Sequence, residues 1–419
     1  MSGLISLIAV FGYINHRYIR LPDTVGITVV GLAFSLFAAL LRPHFPNMAT
    51  NVHQLATAID FPELVFHGML GILLFAGSLH VNFNEIVKHK AAIGLLSTVG
   101  VLVSTVFIGL GAQTLFNIFH YPMPLIYCML FGALISPTDP VAVLGVLKHA
   151  GVSKGLKTKI TGEALFNDGT AVVAFLVLLG IATGGPVPSG ADIGGMLLKE
   201  VLGGCVLGLT IGYLAFFMLK GMESYPVEIL TTVALATGGY AFAEALHVSA
   251  PLAVVVMGLV IGNHGVLSAM SEKTREHLFS FWKLIDSLLT LMLFGLIGLE
   301  VVDLDLRAAS LAAAVLAVPL VLLGRFVSVG LPKGMLYAFG GTVPHSVKIM
   351  TWGGLRGGIS IALALSLPPL PQREMIIIAT YAVVLFSLLV QAPTLGKVLK
   401  ALKEGDAALE TTQPTLAQP

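Results

Sequence analysis

The sequence predicts an all-α membrane protein of about thirteen transmembrane helices. Three observations predict it. Of the 419 residues, 56% are hydrophobic and only 11% charged, where soluble domains carry about 25% charge. Apolar segments of spanning length follow one another with short connections. Lysine and arginine crowd into alternate connections. A mean hydropathy of +0.93 excludes a soluble fold, because so much apolar surface could not be hidden from water. The net charge of +1 gives no basic patch for nucleic acid. Cys128 and Cys205 both lie in apolar runs and suit neither a disulfide framework nor a zinc site.

A crossing helix needs roughly 20 apolar residues. Segments that meet this need, or come close, lie near 3–16, 24–41, 62–82, 92–116, 123–147, 158–181, 193–219, 228–246, 250–263, 277–300, 308–330, 346–367 and 374–396. The first, which lacks a charged leading region and a cleavage site, is read as a retained span and not a signal peptide. Residues 1–403 thus form one polytopic domain. The polar end 404–419 (EGDAALETTQPTLAQP) reads as a disordered tail. Seventeen of the 23 lysines and arginines fall on one side of this alternation and four on the other, with Arg325 and Arg356 inside spans. The positive-inside bias puts the C-terminus in the cytoplasm and, with an odd span count, the N-terminus outside.

Polar residues inside the hydrocarbon are costly and mark function. Ser136-Pro137-Thr138-Asp139-Pro140 interrupts the fifth span. Two prolines there remove backbone donors and break the helix. The sixth span carries Gly162-Glu163-Ala164-Leu165-Phe166-Asn167-Asp168-Gly169. Glu163 and Asn167 are i,i+4 neighbours, with Asp168 adjoining, and such oxygen donors suit a hard cation. The twelfth span carries Trp352-Gly353-Gly354-Leu355-Arg356-Gly357-Gly358, where glycine permits an unwound segment. A buried Arg356 calls for a carboxylate partner. Glu163 is the expected one, with Arg325 as a competing or additional cation. The interrupted fifth and twelfth spans lie seven apart, which points to inverted repeats over about 1–181 and 228–396 joined by the linker helix 193–219. The stripe Gly204-x3-Gly208-x3-Gly212 suits close helix packing, either at a dimer contact or within the protomer.

At these residues the chain resembles the NhaP-type branch of sodium/proton antiporters, which includes the animal exchangers. The resemblance rests on SPTDPVAVLGVLK (136–148), GEALFNDGTAVVAF (162–175), FWKLIDSLLTLMLFGLIGLE (281–300) and GLRGGISIALAL (354–365). It implies an NhaA-like fold with two crossing broken helices, a homodimer, and a core domain moving against a dimer domain. It implies Asp168 as the carboxylate that binds cation and proton, with Asn167, Thr138 and Asp139 around it, and Glu163 and Arg356 as a structural ion pair. Two positions depart from the family pattern. Ala164 stands where many members have serine, and Ala76 where some have glutamate.

The expected activity is exchange of Na⁺, or Li⁺, for H⁺ across the cell membrane, with no cofactor beyond the transported ions. The asparagine at 167, where electrogenic members carry a second aspartate, implies electroneutral 1:1 exchange. A K⁺/H⁺ antiporter of the same fold, a cation channel and a sodium-coupled organic-anion symporter are the alternatives. No nucleotide-binding loop or hydrolase motif occurs, so the chain is read as a secondary transporter and not an enzyme.

Overall fold

The computed structural model describes residues 2–41, 60–139, 154–185, 190–222, 224–265, 270–299, 308–337 and 346–401. Pro140, the stretch 140–147 of the fifth span and the tail 404–419 lie outside them. The described residues hold helices and no strand. Helices stand at every segment marked in the sequence. They are α1 (Ser2–Ile14) and α2 (Asp23–Leu41), then α3 (Phe61–Leu79), the short α4 (Phe83–Lys88) and α5 (Lys90–Ile118). The interrupted fifth span begins as α6 (Leu125–Leu134), and α7 (Lys154–Ala182) and α8 (Gly190–Leu219) follow. Next come α9 (Tyr225–Ala245), α10 (Ala250–Val260), α11 (Glu272–Leu299) and α12 (Ala308–Tyr337). The twelfth segment is split into α13 (Ser346–Trp352) and α14 (Gly358–Leu365), and α15 (Arg373–Ala401) closes the described chain. By length and composition seven of the described helices suffice to cross a membrane alone, and α1 and α2 are bent against each other by 107°.

Local chemistry explains the helix starts. The Asp60 carboxylate accepts from the Glu63 amide at 3.0 Å, an N-cap before α3, and Pro62 sits in the first turn, where its missing N–H costs nothing. Pro226 and Pro251 open α9 and α10 likewise. Asn82 caps α4 through the Glu85 amide at 3.3 Å.

Packing follows residue size. In α8 the glycine stripe lies on α10: a Cβ on Gly204 would come 2.6 Å from the Ser249 carbonyl oxygen, and one on Gly208 2.5 Å from that of Ala253. The stripe therefore serves contact within the protomer, of the two uses open to it, and lets two backbones approach as only small residues allow. Other positions of α8 present Leu198, Leu202, Val206 and Phe217 outward, as suits a helix facing hydrocarbon. Around the interrupted segments α5 packs on α6 and α12, α7 on α6, and α14 on α6 and α15.

Candidate functional site

The first interruption follows α6. After Leu134 the chain leaves the helix, and residues 136–139 are irregular and largely buried. The second lies between α13 and α14, where residues 354–357 are irregular and buried. The two meet directly: the Asp139 amide donates to the Leu355 carbonyl at 2.8 Å. Each break thereby supplies a partner for the backbone of the other, as non-helical chain at membrane depth requires.

The charges answer the helix ends. Arg356, 2% exposed, donates from Nη1 to the carbonyl of Ser136 and, at 2.9 Å, to that of Pro137. These carbonyls lie just past the end of α6, beside the negative pole of its dipole, where a cation is stabilising. Asp139 lies at the opposite kind of pole. A Cβ on Gly357 would collide with its carboxylate, so the carboxylate sits against the first residues of α14, whose amides have no partner within the helix and favour an anion. Only glycine at 357 permits that approach. The Arg356 amide donates to Ser387 Oγ at 3.0 Å, and Ser387 Oγ donates to Gln391 Oε1 at 2.6 Å. Both residues lie in a π-helical turn of α15, which ties the second break to the last helix.

Glu163 corrects the expected ion pair. Its partner is Arg325 of α12, not Arg356. Arg325 grips it bidentately, through Nη1 to Oε1 and through Nη2 to Oε2 at 2.8 Å. Arg325 Nε also donates to the Met350 carbonyl at 3.2 Å. The physical reason is that Arg356 is already answered by carbonyls that the first break releases. A carboxylate is not the only partner for a buried guanidinium when orphan carbonyls lie near.

Asn167 and Asp168 are turned the other way. Asn167 Nδ2 donates to Thr138 Oγ1 at 2.8 Å, joining α7 to the first break. Asp168 is 1% exposed, and neither carboxylate oxygen accepts a hydrogen bond among the described residues. It lines a cavity of about 800 Å³ together with Thr138 and Asp139. Thr161, Leu165 and Asp168, at i, i+4 and i+7, form the α7 wall of that cavity, while Glu163 lies off this face. The wall also holds Asn82, Glu85, Lys157, Lys283 and Asp286. Ala76 lines it, and Ala164 is buried without lining it.

Of the residues singled out in the sequence, the structure brings Thr138, Asp139, Asn167 and Asp168 together, and it moves Glu163 into a separate pair with Arg325. Sequence reasoning missed Ser387 and Gln391, although two polar residues i,i+4 apart in an apolar span are a legible signal. It also missed the wall residues Asp286 and Glu85.

An all-helical fold, with helices of spanning length and a buried carboxylate where two interrupted helices meet, defines an ion-translocating membrane protein. The chain belongs to the sodium/hydrogen exchanger family, whose transmembrane region matches residues 5–401. Among its relatives is the Na(+)/H(+) antiporter NhaP of Pseudomonas aeruginosa, 45% identical over 410 residues that make up 97% of each chain. Another is the Na(+)/H(+) antiporter NhaH of Halobacillus aidingensis, 34% identical and covering 92% of this chain and 93% of that one. The sodium proton antiporter MjNhaP1 from Methanocaldococcus jannaschii has a similar fold, with a TM-score of 0.70 over 96% of this chain and 97% of that one at 17% identity.

Proposed function

We propose that the protein is a secondary antiporter exchanging Na⁺, and Li⁺ as an alternative cargo, for H⁺, one for one, by competition for Asp168. The observation that carries this reading is the Asp168 carboxylate itself: buried, without a hydrogen-bond donor among the described residues, and in the wall of a cavity shared with Asp139 and Thr138. An uncompensated negative charge in such a place is expensive, so the site is held by a cation or by a proton, and not by both. Only the neutralised site crosses the barrier, and coupling follows. Thr138, Asp139 and Asn167 Oδ1, which accepts no hydrogen bond among the described residues, supply the neighbouring oxygens, and water completes the shell.

Because one carboxylate changes charge, the exchange is electroneutral, and Asn167 beside Asp168 supports this. A net charge moved would couple at about 2.3 kcal/mol per 100 mV. In the same reading the thirteen segments are thirteen spans in two inverted repeats of an NhaA-like fold, and residues 1–403 form one membrane domain. The N-terminus is outside and the C-terminus cytoplasmic. Lys157 and Lys283 in the cavity wall, on the lysine-rich side of the alternation, support an inward-facing reading of this state. The functional unit is a homodimer in which a core domain moves against a dimer domain.

The test is proton flux in proteoliposomes driven by Na⁺, Li⁺ or K⁺ separately, with valinomycin clamping the voltage in an arm without a K⁺ gradient. Expected are flux with Na⁺ that is insensitive to voltage, and its loss in Asp168→Asn with the protein still folded. Undiminished exchange in Asp168→Asn would refute the mechanism. Flux with K⁺ alone would refute the cargo.

A further inference from the structure

Many helix hydroxyls among the described residues bond back to their own helix. Thr105 donates to the Val101 carbonyl at 2.9 Å, Thr380 to that of Ile376 at 2.7 Å and Thr28 to that of Thr24 at 2.9 Å. Such a bond is the cheapest way to satisfy a hydroxyl buried from water. Two cavity-wall residues depart from this habit. Ser360, in the first turn of α14, is 1% exposed, and Thr290, in the second half of α11, is 4% exposed. Neither hydroxyl makes a hydrogen bond among the described residues. Both line the cavity that holds Asp168 and Asp139.

Their placement is tied together. A Cβ on Gly358 would lie 2.5 Å from Leu293 Cδ1, so the first turn of α14 packs against α11 within one turn of Thr290. Asp139 sits at that same end of α14. The α14 and α11 side of the cavity thus holds two hydroxyl oxygens, while the α7 side holds the Asp168 carboxylate. A buried hydroxyl left without a partner is costly, and the cost is offset when it serves an ion or the water that an ion carries.

We propose that Ser360 and Thr290 are specificity-determining ligands of the transported cation, contacting it directly or through its retained water. The inference rests on the antiport reading and deepens it. Asp168 supplies the charge that makes cation and proton compete. The two hydroxyls, neutral and unable to hold a proton in competition, favour the cation alone. They set the concentration at which Na⁺ displaces H⁺, and they help choose between Na⁺ and Li⁺, since a smaller ion gives up its water less readily.

The experiment compares Ser360→Ala and Thr290→Val with the wild type and with Ser104→Ala. Ser104 is also a buried hydroxyl without a partner among the described residues, but it lies in α5 and is not part of the cavity wall. Neither cavity variant removes a hydrogen bond made among the described residues, so both are expected to fold with wild-type thermal stability. Na⁺-driven proton flux in proteoliposomes gives KM and maximal rate. Proton release on adding NaCl or LiCl to the detergent-solubilised protein gives the displacement midpoint without transport. Each cavity variant is expected to raise the Na⁺ KM and midpoint about fivefold, the worth of one neutral ligand interaction. The maximal rate should stay within about twofold and the Na⁺/Li⁺ ratio should shift, while Ser104→Ala changes none of these. Unchanged midpoints in both folded variants would overturn the proposal, as would a lowered maximal rate with unaltered KM. If the wild type itself moves no protons with Na⁺, the antiport reading fails first, and the two failures are told apart.

Discussion

Replacing Glu163 by alanine leaves Arg325 with a full charge in a place that is 6% exposed. The guanidinium loses both bonds to the carboxylate and keeps its Nε bond to the Met350 carbonyl. Removing one partner of a buried pair costs about 3–5 kcal/mol. Each kcal/mol moves Tm by about 2–4 °C in a domain of 150–250 residues and by less in a longer chain. A fall of about 5–10 °C is therefore expected in detergent, read from tryptophan fluorescence on heating. Replacing both partners by apolar residues of similar volume is often neutral or stabilising, so Glu163→Leu with Arg325→Met should return to within a few degrees of the wild type. Glu163→Leu with Arg356→Met should not, because the partners of Arg356 are the carbonyls of Ser136 and Pro137. Rescue by the Arg356 combination would refute the pairing. A stable Glu163→Ala protein with altered cation affinity would refute the structural role altogether.

Arg356→Ala leaves the carbonyls of Ser136 and Pro137, just past the end of α6, without this donor, and a loss of about 1–3 kcal/mol in stability is expected, partly recovered by Arg356→Lys; equal stability of all three proteins would count against the dipole argument. Gly208→Leu drives a side chain into the Ala253 backbone and should lower Tm by the equivalent of about 1–3 kcal/mol, with the Na⁺ KM of the surviving protein unchanged. Competition at Asp168 has a pH signature: below the titration range of the site, the Na⁺ KM should rise about tenfold for each unit that pH falls, by mass action, with the maximal rate preserved. A KM independent of pH across a range where exchange is measurable would exclude a shared site. Asp139→Asn should slow exchange strongly by removing the anion at the start of α14, and wild-type rates in that variant would remove it from the site.

The sequence alone determined the helical class, the order of the apolar segments, the two interruptions and the presence of a carboxylate at 168 inside an apolar span. These are local facts. A span is legible because about 20 apolar residues stand in a row. A break is legible because Pro137 cannot donate and because Gly353, Gly354, Gly357 and Gly358 crowd within one segment. Asp168 is legible because a charge in hydrocarbon needs a reason. Partnership was not legible. Glu163 and Arg325 are 162 residues apart in the chain, and nothing local distinguishes Arg325 from Arg356 as the cation that answers Glu163. Only the tertiary structure, which brings Arg325 of α12 within bidentate reach of Glu163, decides it. In the same way only tertiary structure decided that the glycines of α8 meet α10. It alone brought Thr290 and Ser360, unremarkable in apolar runs, to the cavity that holds Asp168. Side-chain periodicity fixes which residues share a helix face; which neighbour meets that face depends on contacts between residues far apart in the chain.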